Sequence, residues 1–309
     1  MIKYNKNYQF KRKILLLYFY LYFIFSFYVF NKLNVCVCTI GKLENLYAKE
    51  FILHYKRRGV DKVYIYDNND IDGEKFESVL FGFIKKGFVE IINIRGKTKY
   101  QLKAYQDCLN KNYNKFDWLI FYDMDEFIYL KKYKNIKNYL SQQKFSKCQT
   151  IQLNMFFHDD NNLIYYDDRL LYERFKRKVK KPVEALKSIL KGNISINIED
   201  VHNLNSNLTS CNGFGEINKY EKTSIFTNRP DFTFNYIDHF CFKSTQEFTN
   251  KLMRGSAFYG KIKQIKLKKI HWYFNINSIT KKKIDYIENR TKLNLSIYRN
   301  KISLDTFML

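Results

Sequence analysis

The sequence predicts an α/β domain with a doubly wound, mostly parallel central sheet and helices on both faces. Two observations carry that expectation. From Asn34 onwards, apolar runs of strand length alternate with segments of helical spacing, the pattern of successive β-α-β units. Polar clusters then fall where three of the apolar runs end: Thr39 to Glu44, Asp67 to Asp70, and Asp123 to Glu126. Sheets of this kind bind ligands beyond the carboxyl ends of their strands, so the same clusters point to a site.

The elements follow in order. VCVCTI (Val35–Ile40) is strand-like, and Glu44–Arg58 carries Leu46, Phe51 and Tyr55 at helical spacing. Val60–Asp70 is a strand that ends in polar turn residues, Glu74–Lys86 a helix and Phe88–Ile94 the third strand. Tyr100–Asn112 gives the third helix and WLIFY (Trp118–Tyr122) the fourth strand. Beyond it the pattern loosens. Cys148–His158 and Leu163–Phe175 read as strand-rich, Lys187–Lys191 and Ile198–Leu204 as short strands, and Thr245–Arg254 and Thr280–Thr291 as helices. The basic run Lys176–Lys181 reads as a solvated loop or helix face.

The amino terminus is different. Lys11, Arg12 and Lys13 precede an uncharged run from Ile14 to Phe30. As a helix that run spans roughly 26 Å, near the lower limit for crossing a bilayer, and the positive residues before it favour a cytoplasmic amino terminus. The expected layout is therefore a basic, membrane-anchoring segment over residues 1–33, the α/β domain over 34–275 and a helical tail over 276–309. Such a single-pass anchor implies a Golgi or ER type II protein in a eukaryote, or an inner-membrane protein in a bacterium.

Composition narrows the classes. With 46% hydrophobic and 18% aromatic residues the chain can bury a sizeable core. Its net charge of +24 would suit a polyanion or an anionic membrane surface. The charge comes mostly from lysines spread through the chain beside abundant Asn, Ile and Tyr, as a compositional bias would leave it. No recognition motif supports the alternative of a nucleic-acid-binding protein. A dinucleotide site needs G-x-G-x-x-G after the first strand, and here that turn reads TIGKLEN. None of the six cysteines forms a paired CxxC zinc pattern. They read as buried thiols, with a disulfide between distant members such as Cys211 and Cys241 as the alternative.

The chemistry centres on WLIFYDMDEF. Residues two apart on an extended segment point the same way, so Asp123 and Asp125 face one side at a strand end. Two carboxylates that close disfavour each other's ionisation unless a cation sits between them. A hard divalent ion, Mn²⁺ or Mg²⁺, suits such oxygens and leaves positions for phosphate. Glu126, facing away, reads as support through a hydrogen bond to backbone or to a basic residue. Asp67, at the end of the second strand, could accept hydrogen bonds from a base or ribose.

Taken together, CTIGKLENLYAKEFILHYKRRGVDKVYIYDNND, QLKAYQDCL, WLIFYDMDEF, HDDNNLIYYDDRLLYERF and HFCFKSTQEFTNKLMRG resemble glycosyltransferase family 92 and the broader family-2-like group. The resemblance covers roughly Asn34 to Gly255. It implies a GT-A fold, Rossmann-like with a smaller acceptor-side region, and transfer of a sugar from a nucleotide-sugar donor, UDP-linked, to a glycan, lipid-linked or protein acceptor. Asp123 and Asp125 match the metal-binding D-x-D, and Asp67 matches the acid at the nucleotide base. Gln101 and Tyr105 match the Q-x-x-A-Y helix, while Lys42 and Glu44 stand where the family reads K-x-E. Thr39, Glu44, Asp67, Gln101, Asp123 and Lys243 are thus the expected donor-binding residues, with Lys243 a point charge for the diphosphate. Inverting transfer needs a carboxylate base, for which Asp160 and Asp159 are the candidates. His202 and His239 match family positions where a histidine is usual, and are candidates for a further metal ligand beside Asp123 and Asp125. A catalytically inactive, membrane-bound scaffold of the same family is the remaining alternative.

Overall fold

The computed structural model describes residues 12–18, 20, 33–179, 183–218, 234–255 and 263–307. Residues 12–18 are helical, but most of the expected membrane segment lies outside the described residues. Among the described residues no helix is long and apolar enough to cross a membrane.

Among the described residues nine strands form one sheet: β1 Val35–Gly41, β2 Lys62–Asp67, β3 Val89–Asn93, β4 Trp118–Phe121, β5 Glu126–Leu130, β6 Thr150–Phe157, β7 Val183–Lys191, β8 Ser210–Cys211 and β9 Asn235–His239. Their order is β3-β2-β1-β4-β7-β6-β9-β5, with β8 on β6. The first four are mutually parallel, as the alternation in the sequence requires. Strand β7 then runs antiparallel to both β4 and β6, and β5 antiparallel to β9. The helices are α1 Asn45–Arg57, α2 Phe76–Lys85, α3 Gln101–Asn112, α4 Ile136–Leu140, α5 Leu171–Arg174, α6 Thr245–Arg254, α7 Lys263–Ile276, α8 Lys281–Thr291 and α9 Ser296–Phe307.

Strand β1 shows why the sheet is covered on both sides. All of VCVCTIG is buried, as befits a strand with helices above and below. Its period of two sorts Val35 and Val37 to one core, where Phe51, Ile52 and Tyr55 of α1 also pack. Cys36 and Cys38 go to the other, with Ala104, Tyr105, Cys108 and Leu109 of α3. Ile270 and Tyr273 of α7, Ile284 and Ile287 of α8 and Tyr298 of α9 join the α1-side core. At the end of β1, a Cβ on Gly41 would lie 2.5 Å from the Met124 sulfur and 2.6 Å from the Phe76 ring. A larger residue there would have to push the Met124 and Phe76 side chains aside.

Two expected strands are absent. The apolar residues of Leu163–Phe175 do reach the core, where Leu171 and Phe175 are buried. The backbone, however, serves α6: Leu163 and Ile164 carbonyls accept from the Thr245 and Gln246 N–H groups at 3.0 and 2.8 Å. Ile198–Leu204 likewise buries its two ends but closes on itself, Glu199 N–H donating to the Leu204 carbonyl at 2.8 Å while Ile198 N–H donates to Gln106 Oε1 at 2.7 Å. Apolar content alone could not tell a ladder from a loop that fills the core. The thiols also differ from expectation. Cys38 is bonded to Cys108 and Cys148 to Cys211, while Cys36 and Cys241 are free and buried. Helix α3 lays Cys108 on the face that Cys38 occupies, and Cys211 meets Cys148 rather than Cys241.

His54 of α1 packs against the rings of Tyr55, Phe127 and Tyr172 and faces the Ile128 carbonyl at 3.1 Å. Burial lowers its pKa to about 4. The unfolded chain then takes up a proton below about 6.5 that the folded chain refuses until about 4. Stability should therefore be full above pH 6.5 and fall as pH drops towards 4, by at most about 3 kcal/mol from this group. Urea unfolding at pH 7 and pH 4.5 checks this: His54→Asn should flatten that part of the profile.

Candidate active site at the carboxyl end of β4

The turn after β4 is built by its own acids. Asp123 N–H donates to Glu126 Oε2 at 2.8 Å, and Glu126 N–H donates back to the Asp123 carbonyl at 3.0 Å. Tyr122, Met124 and Phe127 point into the α1-side core. Glu126 is therefore the buried brace of the turn. Asp123 keeps a side chain 32% exposed, whereas Asp125 is buried.

Each carboxylate has a cation. Asp123 Oδ1 accepts from Gln101 Nε2 at 2.8 Å and from the Tyr105 hydroxyl at 2.9 Å, and its Oδ2 accepts from Lys187 Nζ at 3.0 Å. Lys187, wholly buried in β7, also lies 3.6 Å from Glu126 Oε1. Asp125 Oδ2 accepts from Lys251 Nζ of α6 at 2.5 Å, and its Oδ1 lies 3.4 Å from His239 Nε2 at the end of β9. Burial alone would raise the Asp123 carboxyl, but the Lys187 ammonium pulls it below the usual range. Asp125 is held well below that range, since Lys251 and His239 outweigh its burial. Glu126 goes the other way: burial, aided by the charges of Asp123 and Asp125, pushes it up to about 8 although Lys187 is near. Of the three acids, two are thus kept ionised and the brace is kept largely protonated at neutral pH.

The exposed edge of this turn faces a cavity of about 500 Å³. The end of β1 (Ile40 to Lys42), the loop after β2, the loop before α3 and the end of α6 wall it. Six basic residues, Lys42, Lys97, Lys99, Lys251, Arg254 and Lys269, line it against the four acids Glu44, Asp70, Asp123 and Asp125. Crowding shows in Lys269, lowered to about 8 by burial and then by Lys251 and Arg254.

The expected site residues divide accordingly. Glu44, Gln101, Asp123 and Asp125 line this cavity, and His239 stands behind Asp125. Thr39 is buried within β1, its hydroxyl without a hydrogen-bond partner among the described residues. Asp67 is buried at the end of β2, with Asn69 N–H on Oδ1 at 2.9 Å and Arg95 3.6 Å away. Its neighbours Asn68 and Asp70, rather than Asp67 itself, reach the cavity wall. Lys243 is turned from this cavity to Glu44, 3.2 Å away, and lines a second one. His202 does not join Asp125; its Nδ1 faces the Leu186 carbonyl at 2.9 Å on the Lys187 side.

Asp159 and Asp160 line neither cavity. Asp159 pairs with Arg177 at 3.0 Å. Asp160 is buried, with Lys283 of α8 at 2.6 Å and the Tyr273 hydroxyl of α7 at 2.5 Å on its Oδ2. That is a clamp between β6 and the carboxyl-terminal helices. The residues that sequence reasoning missed are Lys187, Lys251 and Arg254. Lys187 left one signal, a lysine inside an apolar strand; the other two sat unread on a helix.

Buried pairs that lose one partner typically cost about 3–5 kcal/mol. Lys187→Met should therefore destabilise the chain by about that amount at neutral pH, measured by chemical denaturation. Asp160→Asn and Lys283→Met should each lower stability to a similar degree, about 3 kcal/mol. A stable Asp160→Asn protein that has lost only turnover would return Asp160 to the chemistry.

Comparisons with known proteins follow the same lines. The model of glycosyltransferase family 92 matches residues 31–295. A family 92 protein of Ricinus communis is 24% identical over 168 residues, 51% of this chain and 30% of that protein. One from Oryza sativa subsp. japonica is 29% identical over 31% of this chain and 16% of its own length. One from Arabidopsis thaliana is 27% identical over 34% and 18%. The matched regions span under a third of the length of these relatives. Among solved structures, a mannosyltransferase of Pyrobaculum calidifontis in complex with GDP-Man and Mn²⁺ shares 8% identity and a TM-score of 0.30, over 39% of this chain and 35% of that one. A likeness at that level carries no argument; the family match does. The chain belongs to glycosyltransferase family 92.

Proposed function

We propose that the chain transfers a sugar from a UDP-linked donor to a hydroxyl of a glycan, lipid-linked or protein acceptor, with inversion and with a divalent cation as cofactor. The observation that carries this reading is the pair Asp123 and Asp125 at the carboxyl end of β4, facing a cavity with an excess of basic residues. Uridine and inversion are supported by the family resemblance alone.

The donor set fits a cation of the Mn²⁺ type. Asp125 Oδ1 and His239 Nε2 face one another, while Lys251 takes the other Asp125 oxygen. An oxygen beside an imidazole nitrogen suits Mn²⁺ better than Mg²⁺, which favours oxygen ligands. Both Asp123 oxygens and Asp125 Oδ2 already accept hydrogen bonds from amide, hydroxyl or ammonium groups, so Asp125 Oδ1 and the His239 imidazole facing it are the groups that would hold the ion. Among the described residues no cluster of three or more His, Cys, Asp or Glu could hold a metal, which leaves the remaining positions to the donor. Bound there, the ion would offset the charge gathering on the departing diphosphate.

The chain's own residues supply the rest. Gln101, Tyr105 and Lys187 fix the Asp123 carboxylate at the cavity floor, so no reorganisation is needed when a donor arrives. Lys269, on the cavity wall, offers a point charge to phosphate oxygens. Strand β4 keeps the acids in place because its turn is closed by Glu126 rather than by solvent.

Asp125→Asn should lower Mn²⁺-stimulated hydrolysis or transfer of a UDP-sugar by about a hundredfold or more. It should also remove Mn²⁺ binding as read by electron paramagnetic resonance, with circular dichroism confirming the fold. Full turnover by that variant, or by the natural protein in chelator, would sink the mechanism. Proton NMR of the first-formed product reads the anomeric outcome directly.

A further inference from the structure

A third cavity, of about 410 Å³, lies away from the acid turn, where α1 ends. Helix α1 begins after Glu44, on the wall of the first cavity, and reaches Arg57 roughly 20 Å further on. Arg57 and Arg58 line the third cavity from that end, and Lys134 lines it from the segment between β5 and α4. Among the described residues none of these three cations forms an ion pair. Glu50 is the one acid on the described wall, and its two oxygens accept from the Leu171 N–H at 3.1 and 3.0 Å. His54 adds no charge above about pH 4, since burial and then the Arg58 guanidinium lower it. The first cavity differs: there Lys42 pairs with Asp70, Lys251 with Asp125 and Arg254 with Glu44.

Two further observations say what would meet these charges. Leu170 and Tyr172, 51% and 39% exposed, line the same cavity. Basic residues beside exposed apolar and tyrosine side chains suit the interface of a bilayer, where phosphate and the first acyl carbons lie close together. The second observation is where the chain enters the sheet. Val35 N–H donates to Asp61 Oδ2 at 2.8 Å, and Arg58, three residues before Asp61, accepts from Ile136 N–H at 2.7 Å. Val35 is separated by four residues from Phe30, the end of the uncharged run. At most roughly 17 Å of extended chain joins them.

We propose that this cavity and its rim seat the headgroup of an anionic phospholipid, so that this face lies on the membrane expected to hold residues 14–30. The proposal goes beyond the transferase reading and does not rest on it. Arg57, Arg58 and Lys134 meet the phosphate, the two guanidinium groups through paired N–H donors. Leu170 and Tyr172 meet the glycerol and the first acyl carbons. The acid turn, at the other end of α1, stays clear of the bilayer.

The test reconstitutes the full chain in nanodiscs of phosphatidylcholine alone and of phosphatidylcholine with phosphatidylserine in equal parts. Hydrogen exchange over residues 53–58 and 170–172, read by mass spectrometry, is compared between the two lipids. Phosphatidylserine should slow exchange in both segments about fivefold or more, the worth of one basic residue at an anionic surface. Arg57→Glu and Lys134→Glu, both at exposed positions, should each abolish that slowing. Each variant is compared with itself in the two lipids, so a general loss of stability does not imitate the effect. Equal exchange in the two lipids, slowing that survives both charge reversals, or a chain that does not enter the nanodiscs overturns the proposal. So does the same slowing produced in phosphatidylcholine by soluble glycerol 3-phosphate, which would make the cavity a site for a free phosphate ester.

Discussion

The buried ammonium of Lys187 is the interaction on which the rest depends. It sits inside the sheet, on a strand that pairs with β4, and touches one acid at each end of the turn that leaves β4. An ion pair so placed adds little net stability, because removing both charges from water costs several kcal/mol for each ion. What it does is select. Bringing β7 beside β4 in this register gives the Asp123 carboxylate its cation and leaves neither charge unpaired inside the sheet. The antiparallel intrusion of β7 into an otherwise parallel sheet is thus coupled to the polar turn.

From that constraint the site gains its asymmetry. Asp123 is surrounded by donors that leave its carboxylate fixed, whereas Asp125 is met by one ammonium and one imidazole. Glu126, in the same turn, is driven towards its protonated form. Two residues apart on a turn, the first two acids look alike in sequence. Their environments hold one among an amide, a hydroxyl and an ammonium and leave the other between an ammonium and an imidazole.

How much of this was legible follows from the range of the signals. The strands β1 to β4 and their helices are written locally, in periodicities of two and 3.6 residues, and could be read in order. So could the strand-end acids, since an apolar run closed by carboxylates is conspicuous wherever it occurs. The partners of those acids come from residues 64 and 126 positions further on, in β7 and α6, and no local pattern encodes such a meeting. The same holds for Asp160. Beside Asp159 it resembles a loop acid, and only the packing of α7 and α8 reveals Lys283 above it. Leu163–Phe175 misled because hydrophobic content reports burial, not whether the backbone pairs with a strand or caps a helix.

The Cys38–Cys108 bond has a consequence beyond fastening. Gln101, Tyr105 and Cys108 stand at intervals of four and three along α3, and so share one face of that helix. Two of them grip Asp123 and the third is covalently joined to the first strand. The grip on the acid is therefore set against the same strand that ends in the cavity wall. Thiol chemistry in the compartment where the chain matures then decides whether that helix is bolted to the sheet or held by packing alone.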